Sequence, residues 1–175
     1  YRAVTFGVLA REIDPADAHA VIKVCGQLEL DVGVDRVMVD GVDATSAIRG
    51  PKVTSAVSSV AANPQVRSIL VELQRAWVSN RGAGVVEGRD ITTVVLPDAD
   101  LKLFVTASPR VRAERRVAES GGDVDAVEAS IAERDRRDET REASPLSISS
   151  EAVVIDTSEM SIDDVVADVL SRVQG

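Results

Sequence analysis

The sequence is short of the residues on which several common functions rest. Aromatic side chains make up 2% of its 175 residues, so stacking platforms for nucleic-acid bases are nearly absent. A single cysteine, Cys25, excludes an internal disulfide framework and a multi-cysteine metal site, and it fits a reducing cytoplasm. The one histidine, His19, sits in the helical-looking stretch "DPADAHAVIK"; it gives a His-based triad little support and reads as a solvated surface residue. No apolar run is long enough to span a bilayer, and no signal peptide is expected. A formal net charge of -9 excludes a protein that wraps nucleic acid or an anionic membrane, since either needs a net basic face. Any anion site must therefore be local.

What is present is a globular composition. A hydrophobic fraction of 45% over 175 residues is enough for one domain with a core, with room for a small insertion. Three short runs rich in β-branched residues, "GVV" (84–86), "LKLFVTA" (101–107) and "AVVIDT" (152–157), predict parallel strands covered on both faces. Helical grammar lies between them. "NPQVRSILVELQRAW" offers Asn63 as N-cap and Pro64 at the first helical position, "SPRVRAERRVAES" repeats that pattern from Ser108, and "SIDDVVADVLSRV" starts on Ser161. Strand and helix alternate, which predicts an α/β fold. Residues 28–49 break the rhythm with short apolar–polar alternation and Gly and Asp turns, predicting a small antiparallel patch beside the main sheet. "PKVTSAVSSVAA" then resumes as helix from Pro51.

In an open α/β sheet, ligands bind beyond the carboxyl ends of strands, which directs attention to "EGRD" (87–90) after "GVV". Arg89 can grip a phosphate through two donors, and Asp90 can accept from an amino group; a turn with a surface ion pair is the plain alternative. The stretch "ERDRRDETR" (133–141) holds four arginines and four acids. Asp123 predicts the cap of a helix running to about Thr140, and on it Arg134, Asp138 and Arg141 fall at i, i+4 and i+7, with Arg137 alongside. Such a stripe can address one anion, its acids holding the arginines extended beforehand; a solvated helix laced with ion pairs is the alternative. Ser58 and Arg67 stand off the apolar faces of their helices, where solvent is the usual destination.

Together these segments resemble the bacterial cytidylate kinases of the nucleoside monophosphate kinase group. The resemblance is carried by "YRAVT", "VSSVAANPQVR", "EGRDITTVVLPDADLKLFVTASPRVRAERR", "ERDRRDETREASPL" and "VVIDTSEMSIDDVV", in family order over nearly the whole chain. It implies a P-loop-kinase-like parallel sheet flanked by helices, with an antiparallel β insertion in the monophosphate-binding subdomain and a helical lid. The chain would divide into core at 1–27, CMP-binding subdomain at 28–62, core at 63–120, lid at 121–145 and core at 146–175. The implied activity is ATP-dependent phosphorylation of CMP or dCMP to the diphosphate, with Mg²⁺ accompanying ATP, by a cytoplasmic monomer. By position, Arg2, Arg89 and Arg141 would bind the CMP phosphate, Ser58, Arg67 and Asp90 the cytosine, and Arg134 and Asp138 the ribose. Arg137 would neutralise the transferring phosphoryl, and Arg112 and Arg115 are placed on the ATP side. No metal ligand is expected within the 175 residues. Alternatives are a kinase for UMP or AMP, an inactive CMP-binding module, and a purely structural acidic α/β domain.

Two departures from the family pattern are local: Thr92 stands where glycine is usual, and "EASPL" replaces "RAVAPL". A third concerns the phosphate loop. The family carries a strand, a G-x-x-G-x-G-K-[GS]-T loop and a helix ahead of "YR", and no such loop occurs in this sequence. The expectation is a longer cytidylate kinase of which this is a part. Lacking that unit of about 30 residues, the sheet would expose unpaired inner edges and turnover by the 175 residues alone would be negligible.

Overall fold

A computed structural model describes residues 1–140 and 145–174, the side chain of Gln174 excepted. The chain divides into two units, Tyr1–Gly84 and Val85–Gly175, each taken by itself. In the first, helices α1 (Arg2–Ala10) and α2 (Ala18–Cys25) are followed by strands β1 (Leu30–Val32), β2 (Val37–Val39) and β3 (Val42–Asp43), then by α3 (Pro51–Ala62) and α4 (Pro64–Ser79). The three strands form one antiparallel sheet in the order β1-β2-β3, with Leu30 opposite Val39 and Val32 opposite Val37. This is the small antiparallel patch that the alternation at 28–49 predicts. The β2–β3 turn places Asp40 and Gly41 at φ of 51° and 75°, the pair of left-handed residues that a tight hairpin matching strand twist requires. Arg11, just after α1, pairs with Asp40 at 2.9 Å and ties that turn to the helix.

The first unit's core is mostly valine. Val4 and Val8 of α1, Val21 and Val24 of α2, Val60 of α3 and Val66 and Leu70 of α4 close around Cys25. A second cluster of Val39, Ala44 and Ile48 seats the sheet against Ala3 and Phe6 of α1. The α3–α4 corner is fixed by Asn63, whose side-chain oxygen accepts from the backbone of Gln65 and Val66 at 3.0 and 3.3 Å while its amide donates to the Ala18 carbonyl at 3.2 Å. At the other end of α4, the indole N–H of Trp77 donates to the Val32 carbonyl at 2.8 Å, and the Arg81 guanidinium lies 3.8 Å over the ring. His19 is exposed, as the composition leads one to expect.

In the second unit, β4 (Leu103–Thr106) and β5 (Val153–Asp156) pair in parallel, Leu103 opposite Val153 and Thr106 opposite Asp156. The connection between them contains α5 (Pro109–Ser120) and α6 (Val124–Thr140); α7 (Ile162–Gln174) follows β5. The predicted caps are in place. Ser108 accepts from Val111 N, Asp123 from Ala126 N, and Ser161 exchanges hydrogen bonds with Asp164 in a capping box. Two readings need correction. Residues 84–86 form no strand, and Val85 is 97% exposed; a three-residue apolar run becomes a strand only by pairing, and β4 and β5 pair with each other. Nor are those strands covered on both faces, since Val105 and Val154, on opposite faces, are 55% and 52% exposed. Among the described residues no helix is long and apolar enough to cross a membrane.

Because Asn63 both caps α4 and bonds to α2, replacing it with alanine is expected to cost about 1–2 kcal/mol. Urea denaturation should show the loss, and Asn63→Asp, which keeps the cap but not the donor to Ala18, should recover most of it.

Candidate functional site

The second unit assembles a charge cluster around the start of one turn and one face of α6. Gly88 precedes it; a Cβ there would sit 2.9 Å from Ile91 Cγ1, so a side chain at this position would force Ile91 to shift. Asp90 then opens a π-helical turn, Ile91–Val95, its carbonyl accepting from Val94 N and Val95 N at 3.0 and 3.2 Å, and its side chain is buried at 6% exposure. Arg89, beside it in sequence, reaches α6. Its Nη1 donates to Asp135 Oδ1 at 3.0 Å, and its Nε lies 3.3 Å from Asp138 Oδ2.

Asp135 has a second partner, Arg112 of α5, whose Nη1 lies 2.6 Å from Oδ2. Arg134 approaches Asp138 Oδ2 at 4.0 Å through Nε. Three guanidiniums thus converge on two carboxylates that are three residues apart on α6, a cluster of ordered arginines on a strongly acidic chain. Partial burial of Asp135 opposes its ionisation, but the hydrogen bonds and charges of Arg112 and Arg89 outweigh that, and the carboxyl titrates below its ordinary 3.8.

The cluster brings Arg89, Arg112, Arg134 and Asp138 together, with Asp90 next to Arg89 in the chain. It does not gather every candidate. Arg115 donates instead to Thr157 Oγ1 and to the carbonyls of Thr157 and Met160 at 3.0, 2.6 and 3.3 Å, clamping the loop after β5. Arg137 pairs with Glu133 at 2.8 Å and its side chain is 65% exposed. Arg141 lies outside the described residues.

In the first unit, Arg2 donates through Nη1 to the Ile48 carbonyl and Thr54 Oγ1 at 2.9 and 3.0 Å. Ser58 is exposed on α3, opposite the buried Val53, Val57 and Val60. Arg67 departs from the expectation of solvent. It is 4% exposed, donates to the Ala61 carbonyl at 3.0 Å and stacks 5.2 Å from the Tyr1 ring centre; a planar guanidinium can be buried this way because it donates at its edge while its face meets an aromatic ring. The residue that sequence reasoning passes over is Asp135. Its signal is the three-residue spacing from Asp138, which puts both acids on one side of α6.

A family model for cytidylate kinases matches residues 1–175. The chain is 45% identical over 179 residues to the "Cytidylate kinase" of Mycobacterium leprae (strain Br4923), an alignment taking in 99% of this chain and 80% of that protein. It is 49% identical over 174 residues to that of Corynebacterium efficiens, covering 94% and 76%. Against the protein of the same description from Streptomyces avermitilis the identity is 43% over 180 residues, covering 99% and 78%.

The depressed carboxyl of Asp135 has a signed consequence. A carboxylate stabilised in the folded state contributes above its ordinary value and stops contributing as pH falls through the lower folded one. The docking of α6 is therefore expected to be constant from neutral pH down to about 4 and to weaken below it. Amide exchange along α6 checks this, and in Asp135→Asn the protection should already be reduced at neutral pH.

Proposed function

The chain belongs to the cytidylate kinase family, and on that premise we propose that it takes part in transferring the γ-phosphoryl of ATP to CMP or dCMP, giving ADP and the cytidine diphosphate. The observation that carries this reading is the convergence of Arg89, Arg112 and Arg134 on Asp135 and Asp138, with the buried carboxylate of Asp90 adjoining Arg89. In phosphoryl transfer the protein does little covalent chemistry. It positions the reactants and faces the developing charge with fixed cations.

In this reading Arg89 takes the monophosphate, with Arg2 and Arg141 as its companions, and Asp90 reads the base. Cytosine presents an amino donor where uracil presents a carbonyl acceptor, so a carboxylate favours CMP over UMP. Ser58 and Arg67 are proposed as further base contacts, Arg67 already held rigid by Tyr1 and the Ala61 carbonyl. Arg134 and Asp138 are assigned to the ribose, Arg137 to the phosphoryl in transit, and Arg112 and Arg115 to the ATP side. For Arg115 that role must be exercised through the loop it clamps. The subdomain plan given above, a monomeric state and a cytoplasmic setting belong to the same proposal.

Among the described residues no group of three or more His, Cys, Asp or Glu side chains is arranged to hold a metal ion. In this reading Mg²⁺ comes with ATP, held by its phosphates, and would offset their charge.

Calorimetry with CMP, dCMP, UMP and AMP tests the substrate assignment: CMP is expected to bind most tightly, and Asp90→Asn to shrink the CMP-over-UMP preference about tenfold or more. An Asp90→Asn protein that kept its full preference would remove Asp90 from the base-reading role. CMP-dependent release of ADP from Mg·ATP distinguishes the phosphotransferase from a module that only binds CMP.

A further inference from the structure

We infer that Asp135 is a positioning residue that presents Arg89 to the phosphate of the bound monophosphate by holding it and Arg112 on opposite oxygens of one carboxylate. The inference rests on the cytidylate kinase reading and deepens it.

The geometry is that of a bridge and not of a fork. One oxygen, Oδ1, accepts from Arg89 Nη1 at 3.0 Å, and the other, Oδ2, receives Arg112 Nη1 at 2.6 Å. An isolated carboxylate and arginine prefer two parallel hydrogen bonds. Here each oxygen is committed to a different arginine, so Asp135 fixes the distance between two cations that would otherwise repel. Its side chain is 17% exposed, against 34% for Arg89 and 32% for Arg112, so the carboxylate is the more enclosed member of the set.

A second carboxylate also touches Arg89: Asp138 Oδ2 lies 3.3 Å from Nε. The two acids have different fates when a nucleotide arrives. Asp138 is assigned to the ribose, and a carboxylate that turns to a sugar hydroxyl relaxes its hold on Arg89. Asp135 is then the anchor that keeps the guanidinium in place. An incoming phosphate then finds a cation already ordered without paying to order it.

The test exploits what Asp135 does not touch. Acting through Arg89, it should matter for the phosphate and not for the nucleoside. Titrations of CMP and of cytidine into the 175-residue chain are compared for the parent, Asp135→Asn and Asp135→Glu. Any loosening of α6 falls on both ligands alike, so Asp135→Asn is expected to weaken CMP about tenfold more than it weakens cytidine, and Asp135→Glu, which keeps the charge, to restore CMP to within about threefold. If both ligands weaken in parallel in both variants, the residue is merely structural and the proposal fails. It fails equally if CMP binding does not change. A parent chain that binds cytidine and CMP alike overturns the phosphate assignment of Arg89, and one that circular dichroism shows to be folded but that binds neither overturns the substrate reading together with this inference. Circular dichroism identifies an Asp135→Asn protein that does not fold, in which case the Asp135→Glu comparison decides.

Discussion

One carboxylate bridging two guanidiniums is the contact on which the second unit's charge cluster depends. The α6 helix has no buried residue, and α5 buries only Ala113. Hydrophobic burial therefore gives this pair little, whereas in the first unit Val4, Val8, Val60 and Val66 are fully enclosed. Beside the half-buried Val111, Val117, Val127 and Ile131, what joins α5 to α6 is charge. Arg112 meets Asp135 at 2.6 Å, and Arg110 meets Asp125 and, at 3.2 Å, Glu128. Arg110 is held protonated even more firmly than usual, by hydrogen bonds to Asp125 and then Glu128. Exposed pairs of the Arg110 kind contribute little individually and weaken with salt. The more enclosed Asp135 bridge is the one that fixes geometry.

That balance suits a helix pair assigned to a lid. Segments that open and close are drawn from the parts of a protein with few buried apolar contacts, and a pair latched by ions can exchange one set of charge partners for another at small net change in energy. It also accounts for the crowding of acids and bases in 133–141. Glu133 serves Arg136 and Arg137, while Asp138 serves Arg89 and Arg134. Acids in this stretch order the arginines more than they cancel them. A chain whose net charge is -9 can thereby keep several arginines fixed at one place.

Legibility from sequence followed the range of the interactions. Caps at Asn63, Ser108, Asp123 and Ser161 are decided within a few residues, and each stands where the sequence places it. The runs at 103–106 and 153–156 read as strands and are strands, whereas 84–86 reads the same and is none; which run pairs with which is not written in the composition of the runs. Arg112 and Arg115 are alike on paper, yet one joins Asp135 and the other the loop after β5. Nothing within α5 distinguishes them. Arg89 and Asp135 are 46 positions apart, and Arg67 is buried through its stack on Tyr1; pairings of that kind are fixed by tertiary packing, which local pattern does not encode.

Trp77 is the only tryptophan in the chain, and its indole donates to the last residue of β1 while Arg81 covers the ring. Tryptophan emission responds to hydrogen bonding at the indole nitrogen and to a cation against its face. The protein therefore carries a built-in optical gauge that looks at one place, the edge of the antiparallel sheet where it meets the end of α4. A shift in its ultraviolet emission would be a local report on that hairpin, undiluted by signal from any other indole.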